Sequence, residues 1–151
     1  MLKLLTVLFG MALANTAFAV LPANTELLVV SAGLQKFVPD EDRRAVFHIK
    51  TSKTVGPSGN ALHQLNGCTL EGITHLETRI QRITIGKARI KCPAAAKTAK
   101  KLHEFDVKGQ ILGVDHKTGL RVTCKYLPLC SIATLEDGES GFFLVSGVAG
   151  N

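Results

Sequence analysis

The sequence predicts a mainly β domain, a small barrel or sandwich of about seven short strands with at most one short helix, stapled by disulfides. Apolar runs of strand length recur along the chain, and clusters of Gly, Pro, Asn and Asp separate them. Residues 45–50 alternate between apolar and polar side chains, which is the period of a half-buried strand. Four cysteines in a chain with an export signal indicate disulfides.

The composition fits one compact domain. The chain has 151 residues, of which 46% are hydrophobic and 20% are charged, and its formal net charge is +6. The apolar content is sufficient for a packed core and the charges are not collected in tails, so intrinsic disorder, collagen and a coiled coil are excluded as the main architecture. No internal repeat or linker divides the sequence, and we therefore expect a single domain.

The N-terminal region has the three parts of a cleavable secretory signal peptide. Lys3 provides the positive start, residues 4–13 provide the apolar segment, and residues 17–19 provide the small-x-small cleavage site. We therefore predict a signal peptide over residues 1–19, a mature β domain over residues 20–151, and a periplasmic or outer-membrane-associated location. A retained anchor is less favoured, because the apolar segment is shorter than the roughly 20 residues that span a bilayer.

The individual strands are predicted from the apolar segments in chain order. They cover residues 26–34, 45–50, 78–91, 105–112, 120–126 and 142–145, with a further strand region opening at Gly67 and Cys68. Residues 78–91 are interpreted as two strands of a hairpin with Gly86 and Lys87 at its turn. Residues 93–103 fit either about two helical turns or a lysine-rich loop.

A second hairpin is predicted after residues 105–112. Asp115 and Gly119 are typical turn residues, and Gly119 is suited to a positive φ. Gly109 lies within the strand that precedes this turn. We interpret these three residues as structural.

The four cysteines allow three pairings. We favour Cys68 with Cys92, which closes a loop of about 25 residues and contributes roughly 3 to 4 kcal/mol. Cys124 with Cys130 then encloses a short loop around Pro128. The sequence has no Cys-x-x-Cys and no closely spaced His pair, so we predict neither a metal site nor another cofactor.

Positive charge is concentrated between residues 79 and 101. The candidate partner surface in this stretch consists of Arg79, Arg82, Lys87, Arg89 and Lys91. A basic band attracts nucleic acid, anionic lipid or an acidic protein. Few aromatic residues are interleaved for base stacking, so nucleic acid is the less favoured partner and a solvated face is the simplest interpretation.

A nucleophile at Cys68 is the main catalytic alternative. His48, His63 and the Gly67-Cys68 pair resemble part of the Ser-His-Gly-Cys-x-Arg arrangement of cell-wall transpeptidases, in which a histidine takes the thiol proton. The Ser-His pair is missing, however, and Leu70 stands at the arginine position. We therefore predict that the chain is not an enzyme.

A longer pattern runs through the middle of the chain. It consists of Phe47-His48-Ile49, Gly56-Pro57, Leu65-Asn66-Gly67-Cys68, Gly72, Glu77, Arg79, Arg82, Cys92 and residues 107–121. This order, over about residues 45–121, resembles the C-terminal barrel domain of the TraB/TrbI family, the channel scaffolds of conjugative type IV secretion systems. Its most specific part is Val107-Lys108-Gly109 followed by Asp115, Lys117 and Gly119.

The resemblance implies a non-catalytic, exported structural or accessory component of a conjugative secretion or pilus-assembly apparatus. Its partners would be protein subunits of the channel, with homo-oligomerisation and peripheral outer-membrane association as further expectations. Two alternatives stay open. One is a periplasmic cysteine transpeptidase or hydrolase that uses Cys68, and the other is a small secreted, disulfide-rich binding module.

Overall fold

The structure, a computed structural model, describes residue 21 and residues 23–50, 65–93 and 103–149. The described residues form ten β-strands. In chain order these are β1 (Glu26–Ser31), β2 (Gln35–Phe37), β3 (Arg43–Ile49), β4 (Thr69–Glu77), β5 (Arg82–Cys92), β6 (His103–Leu112), β7 (Leu120–Arg121), β8 (Thr123–Lys125), β9 (Ile132–Leu135) and β10 (Ser140–Ala149). The predicted mainly β class is therefore confirmed.

Six strands form a closed antiparallel barrel. β1 pairs with β3, β3 with β4, β4 with β5, β5 with β6, β6 with β10, and β10 returns to β1. We call these six strands the wall strands. Each wall strand pairs with the one that follows it in the chain, and β10, the last, pairs with β1, the first. Closure gives each of these six strands a partner on both sides, which is how a barrel avoids the exposed edge strands of an open sheet. The short strand β7 adds a further pairing to β5.

The barrel interior contains the apolar side chains that alternate along the strands. In β3 the side chains of Ala45, Phe47 and Ile49 are buried, whereas His48 between them is exposed. This is the alternation predicted for residues 45–50. Phe143 from β10 is also fully buried in the core. Burial of a large apolar side chain contributes about 1.5 to 3 kcal/mol, so this inward row is a main source of stability.

Three short strands, β2, β8 and β9, form a second sheet. They lie in two of the connections between wall strands. β2 lies between β1 and β3 in the chain, β8 and β9 lie between β6 and β10, and they pair in the order β2-β9-β8. The register pairs Val30 with Ser140 and Leu112 with Phe142, so both connections leave the same end of the barrel. We call this the upper end. Two of the short strands, β2 and β9, lie outside every predicted strand, and the strand predicted over residues 120–126 is divided into β7 and β8.

The hairpin predicted over residues 78–91 is wrong in the position of its turn. The turn lies at residues 78–81, between β4 and β5. Gly86 and Lys87 instead lie inside the continuous strand β5, where they face one residue of β4, Ile73, and form a β-bulge. A Gly-Lys pair in a β-prone segment is compatible with either a hairpin turn or a β-bulge. The pairing with β4 decides which of the two forms.

Three predictions fall on residues that the structure does not describe. The signal peptide over residues 1–19 lies outside the described residues, as do Gly56-Pro57 and most of the predicted helix or loop at residues 93–103. Within residues 21, 23–50, 65–93 and 103–149, no helix is long and apolar enough to cross a membrane.

Candidate functional site: an ion pair, a cystine loop and a basic concavity

Cys68 and Cys92 form a disulfide at the lower end of the barrel, opposite the small sheet, with their Cα atoms 4.3 Å apart. Cys68 directly precedes β4 and Cys92 ends β5, and these two strands pair with each other. The favoured pairing is confirmed. Cys68 and Cys92 are both buried, and none of the four cysteines is free. In this oxidised state Cys68 has no thiol that could act as a nucleophile.

The second favoured disulfide, between Cys124 and Cys130, is also confirmed. It closes the connection from β8 to β9, and we call residues 124–130 the cystine loop. The loop presents Tyr126, Leu127 and Leu129 to solvent, with 72%, 61% and 76% of each residue exposed. Exposed apolar patches on a protein surface often mark a site of contact with a partner. The run of apolar residues between two nearby cysteines is the sequence signal that would have identified this surface.

Asp115 and Gly119 lie in the tight turn between β6 and β7, as predicted. Gly119 has a φ of +87°, and a Cβ at this position would lie 2.9 Å from the Cβ of Arg82. The Gly113 amide donates to the Lys117 carbonyl at 3.0 Å and closes the turn. Gly119 is therefore required both by backbone conformation and by the close approach of β5.

Gly109 lies inside β6 and packs against β10. A Cβ at this position would collide with the Leu144 carbonyl oxygen and would lie 2.7 Å from the Phe143 ring. The missing side chain allows the Phe143 ring to lie over the backbone of the neighbouring strand. Gly109 is thus a packing residue of the barrel wall.

The buried Arg82 forms an ion pair with Asp115, which is partly exposed. The Arg82 side chain is 7% exposed, and its Nη2 atom donates to Asp115 Oδ2 at 2.5 Å. Its Nη1 atom donates to the Gly119 carbonyl at 2.7 Å. The hydrogen bonds from Arg82 lower the pKa of Asp115 from 3.8 to about 2. The guanidinium therefore connects the start of β5 to the turn that follows β6.

An open concavity of about 440 Å³ lies on the outer wall of the barrel, across β3 to β6. Its basic side chains are Arg44, Lys87, Arg89, Lys91 and Lys108, and its acidic side chains are Glu71 and Asp106. Five cations against two carboxylates leave three net positive charges. We call this surface the basic concavity. Four adjacent strands contribute to it, so it depends on the pairing of the barrel wall.

The structure divides the predicted basic set into three groups. Lys87, Arg89 and Lys91 line the basic concavity. Arg79 lies exposed in the β4–β5 turn and is not among the lining residues. Arg82 is buried in its ion pair and does not belong to an exposed surface, because its position in β5 points its side chain to the turn after β6.

Two basic residues of the concavity were missed by the sequence analysis. Arg44 comes from β3 and Lys108 comes from β6. Both are distant in sequence from residues 87–91, and only strand pairing brings them onto the same surface.

Among the described residues no group of three or more His, Cys, Asp or Glu side chains is placed to hold a metal ion. His63 lies outside the described part of the chain. The two disulfides are typical of a protein that folds in an oxidising compartment, extracellular or periplasmic. No protein-family model matches this chain, and no curated protein matches it.

Proposed function

We propose that the chain is a non-catalytic, exported structural or accessory component of a conjugative type IV secretion or pilus-assembly apparatus, and that it packs against other channel proteins. The observation that carries the proposal is the position of the resembling segment in the fold. Residues 45–121 contain nearly all of β3, together with β4, β5, β6 and β7, and so build most of the closed barrel. The resemblance is to a barrel domain, and the same residues form a barrel wall here.

The proposed location is the periplasm or the periplasmic side of the outer membrane. The two disulfides and the predicted signal peptide support it, since both belong to exported chains. A scaffold at this location works by binding other proteins, and its activity depends on a rigid shape. The closed barrel and its two cross-links provide such a shape.

The cystine loop is the surface by which we expect the scaffold to contact another subunit. Tyr126, Leu127 and Leu129 project from a loop that its disulfide holds in place. A loop that is already ordered loses little conformational entropy when it binds. Tyrosine is also enriched among the residues that carry most of the binding energy at protein interfaces. The same loop also favours the second candidate function, a small secreted binding module.

In-cell cross-linking tests the proposal. A photo-reactive amino acid is placed at Leu129, or at the exposed Ser146 on the barrel wall as the matched control, and the tagged protein is recovered from conjugating donor cells. We expect the Leu129 position to give adducts that contain identified channel or pilus-assembly subunits, and the Ser146 position to give none of them.

Two outcomes contradict the proposal. Adducts that contain no secretion subunit, from cells in which the apparatus is assembled, favour the secreted binding module. Peptidoglycan cleavage or cross-linking that is lost in Cys68→Ala but kept in Cys92→Ala favours the cysteine enzyme instead.

A further inference from the structure

Two lysines face each other in the wall of the basic concavity. Lys87 in β5 and Lys108 in β6 are directly opposite residues in the antiparallel register. Both are exposed, and both line the concavity. Side chains at such positions have their Cβ atoms about 4.5 to 5.5 Å apart, and like charges placed there repel each other. The pair therefore costs stability unless an anion lies between the two ammonium groups.

The other cations of the concavity already have carboxylate partners. Arg89 donates from Nε to Asp106 at 3.0 Å, and this hydrogen bond raises the pKa of Arg89. Lys91 lies 3.1 Å from Glu71. Within the described part of the chain, neither Lys87 nor Lys108 takes part in an ion pair. Two of the three net positive charges therefore lie on these lysines, and the third is shared by Arg44 and Lys91, which both pair with Glu71.

The lining of the concavity favours a compact anion. Its volume of about 440 Å³ leaves room for a phosphate group. Among the described residues, its uncharged lining consists of Gly72, Ile73, Ala88 and Val107, and none of its lining side chains is aromatic. Without a stacking surface, the site has no means to hold a nucleobase. Paired ammonium groups suit a phosphate, whose oxygens accept several charge-assisted hydrogen bonds.

We propose that Lys87 and Lys108 form an anion site that binds a phosphate group, either of a soluble phosphate ester or of a lipid headgroup. Both sources present the same chemistry to the two lysines. The two lysines lie opposite each other on adjacent strands, and both line the basic concavity. The site does not depend on the proposed scaffold function, since it follows from the register of β5 and β6 alone.

An NMR titration of the purified protein with inorganic phosphate tests the site, with sodium chloride at equal ionic strength as the salt control. We expect saturable amide shifts at Lys87 and Lys108 with phosphate and none with chloride. The double variant Lys87→Met/Lys108→Met should bind phosphate about tenfold or more weakly, because it lacks both charge-assisted hydrogen bonds. The matched control Lys36→Met/Lys125→Met removes two exposed lysines of the small sheet and should bind like the wild type.

Vesicle binding separates the two sources of phosphate. If the protein sediments with phosphatidylcholine vesicles that contain phosphatidic acid, and inorganic phosphate competes with this binding, the site binds a lipid headgroup. Phosphate binding without vesicle binding assigns it to a soluble ester. The proposal is overturned if phosphate and chloride give the same shifts, or if the folded double variant binds phosphate as tightly as the wild type. Binding of a thymidine oligonucleotide without binding of inorganic phosphate also overturns it, in favour of an extended nucleic-acid surface.

Discussion

The guanidinium of Arg82 lies 2.5 Å from the carboxylate of Asp115, although the two residues are 33 positions apart in the chain. Arg82 begins β5, and Asp115 lies in the turn that follows β6. The contact joins two parts of the upper end of the barrel. The Arg82 side chain is buried, so its charge needs this partner and the backbone carbonyl of Gly119.

Removal of the Arg82 side-chain charge should destabilise the fold. We expect Arg82→Met to lower the free energy of unfolding by about 1 to 3 kcal/mol, because the Gly119 carbonyl loses its buried donor. Urea denaturation measures this change. The control Arg121→Met removes an arginine that is 78% exposed and 3.9 Å from Asp115, and it should change stability by less than about 0.5 kcal/mol. Equal losses in both variants would contradict the assigned role of Arg82.

The contribution of Asp115 should depend on pH. Its pKa is lowered to about 2 in the folded chain, against 3.8 ordinarily, so the unfolded chain binds its proton more tightly. The ionised carboxylate therefore stabilises the fold above pH 3.8, and this contribution is lost as the pH falls from 3.8 to about 2. We expect the stability difference between the wild type and Asp115→Asn to shrink over this window in urea titrations. A difference that stays constant down to pH 2 contradicts the ion pair.

Gly109 should not tolerate a side chain. In Gly109→Ala the new methyl group would meet the Leu144 carbonyl and the Phe143 ring, and we expect a loss of about 1 to 3 kcal/mol. Gly86→Ala is the matched control in the neighbouring strand, because a Cβ there meets no atom within 4 Å. Thermal denaturation of the two variants should separate them clearly. If both variants have the wild-type melting temperature, this result contradicts the close packing of β6 against β10 at Gly109.

The two disulfides should contribute unequally to stability. The Cys68–Cys92 bond links residues with a sequence separation of 24, and the Cys124–Cys130 bond links residues with a separation of 6. Chain-entropy arguments give about 3 to 4 kcal/mol for the longer loop and about 2 kcal/mol for the shorter one. We therefore expect Cys68→Ala/Cys92→Ala to lower the urea midpoint more than Cys124→Ala/Cys130→Ala does. The reverse order would indicate that the cystine loop is the stronger cross-link of the fold.

The amino-acid sequence was sufficient for the features that depend on neighbouring residues. The alternation over residues 45–50 identified the buried side of β3, because side-chain direction in a strand alternates residue by residue. The turn with Asp115 and Gly119 could be predicted because its chemistry is local. The four cysteines allowed three pairings, and the favoured one is the pairing that the structure contains.

Only the tertiary structure decided which distant residues meet. Gly86 and Lys87 form a bulge because β4 pairs along β5, and a local pattern does not reveal that partner. Arg82 belongs to the same basic stretch as Lys87 but is buried by the turn after β6. Lys108 joins Lys87 only through the register between two strands. Strand pairing is non-local, and a shift of one residue would reverse every side chain, so these juxtapositions follow from the closed barrel and not from residue spacing.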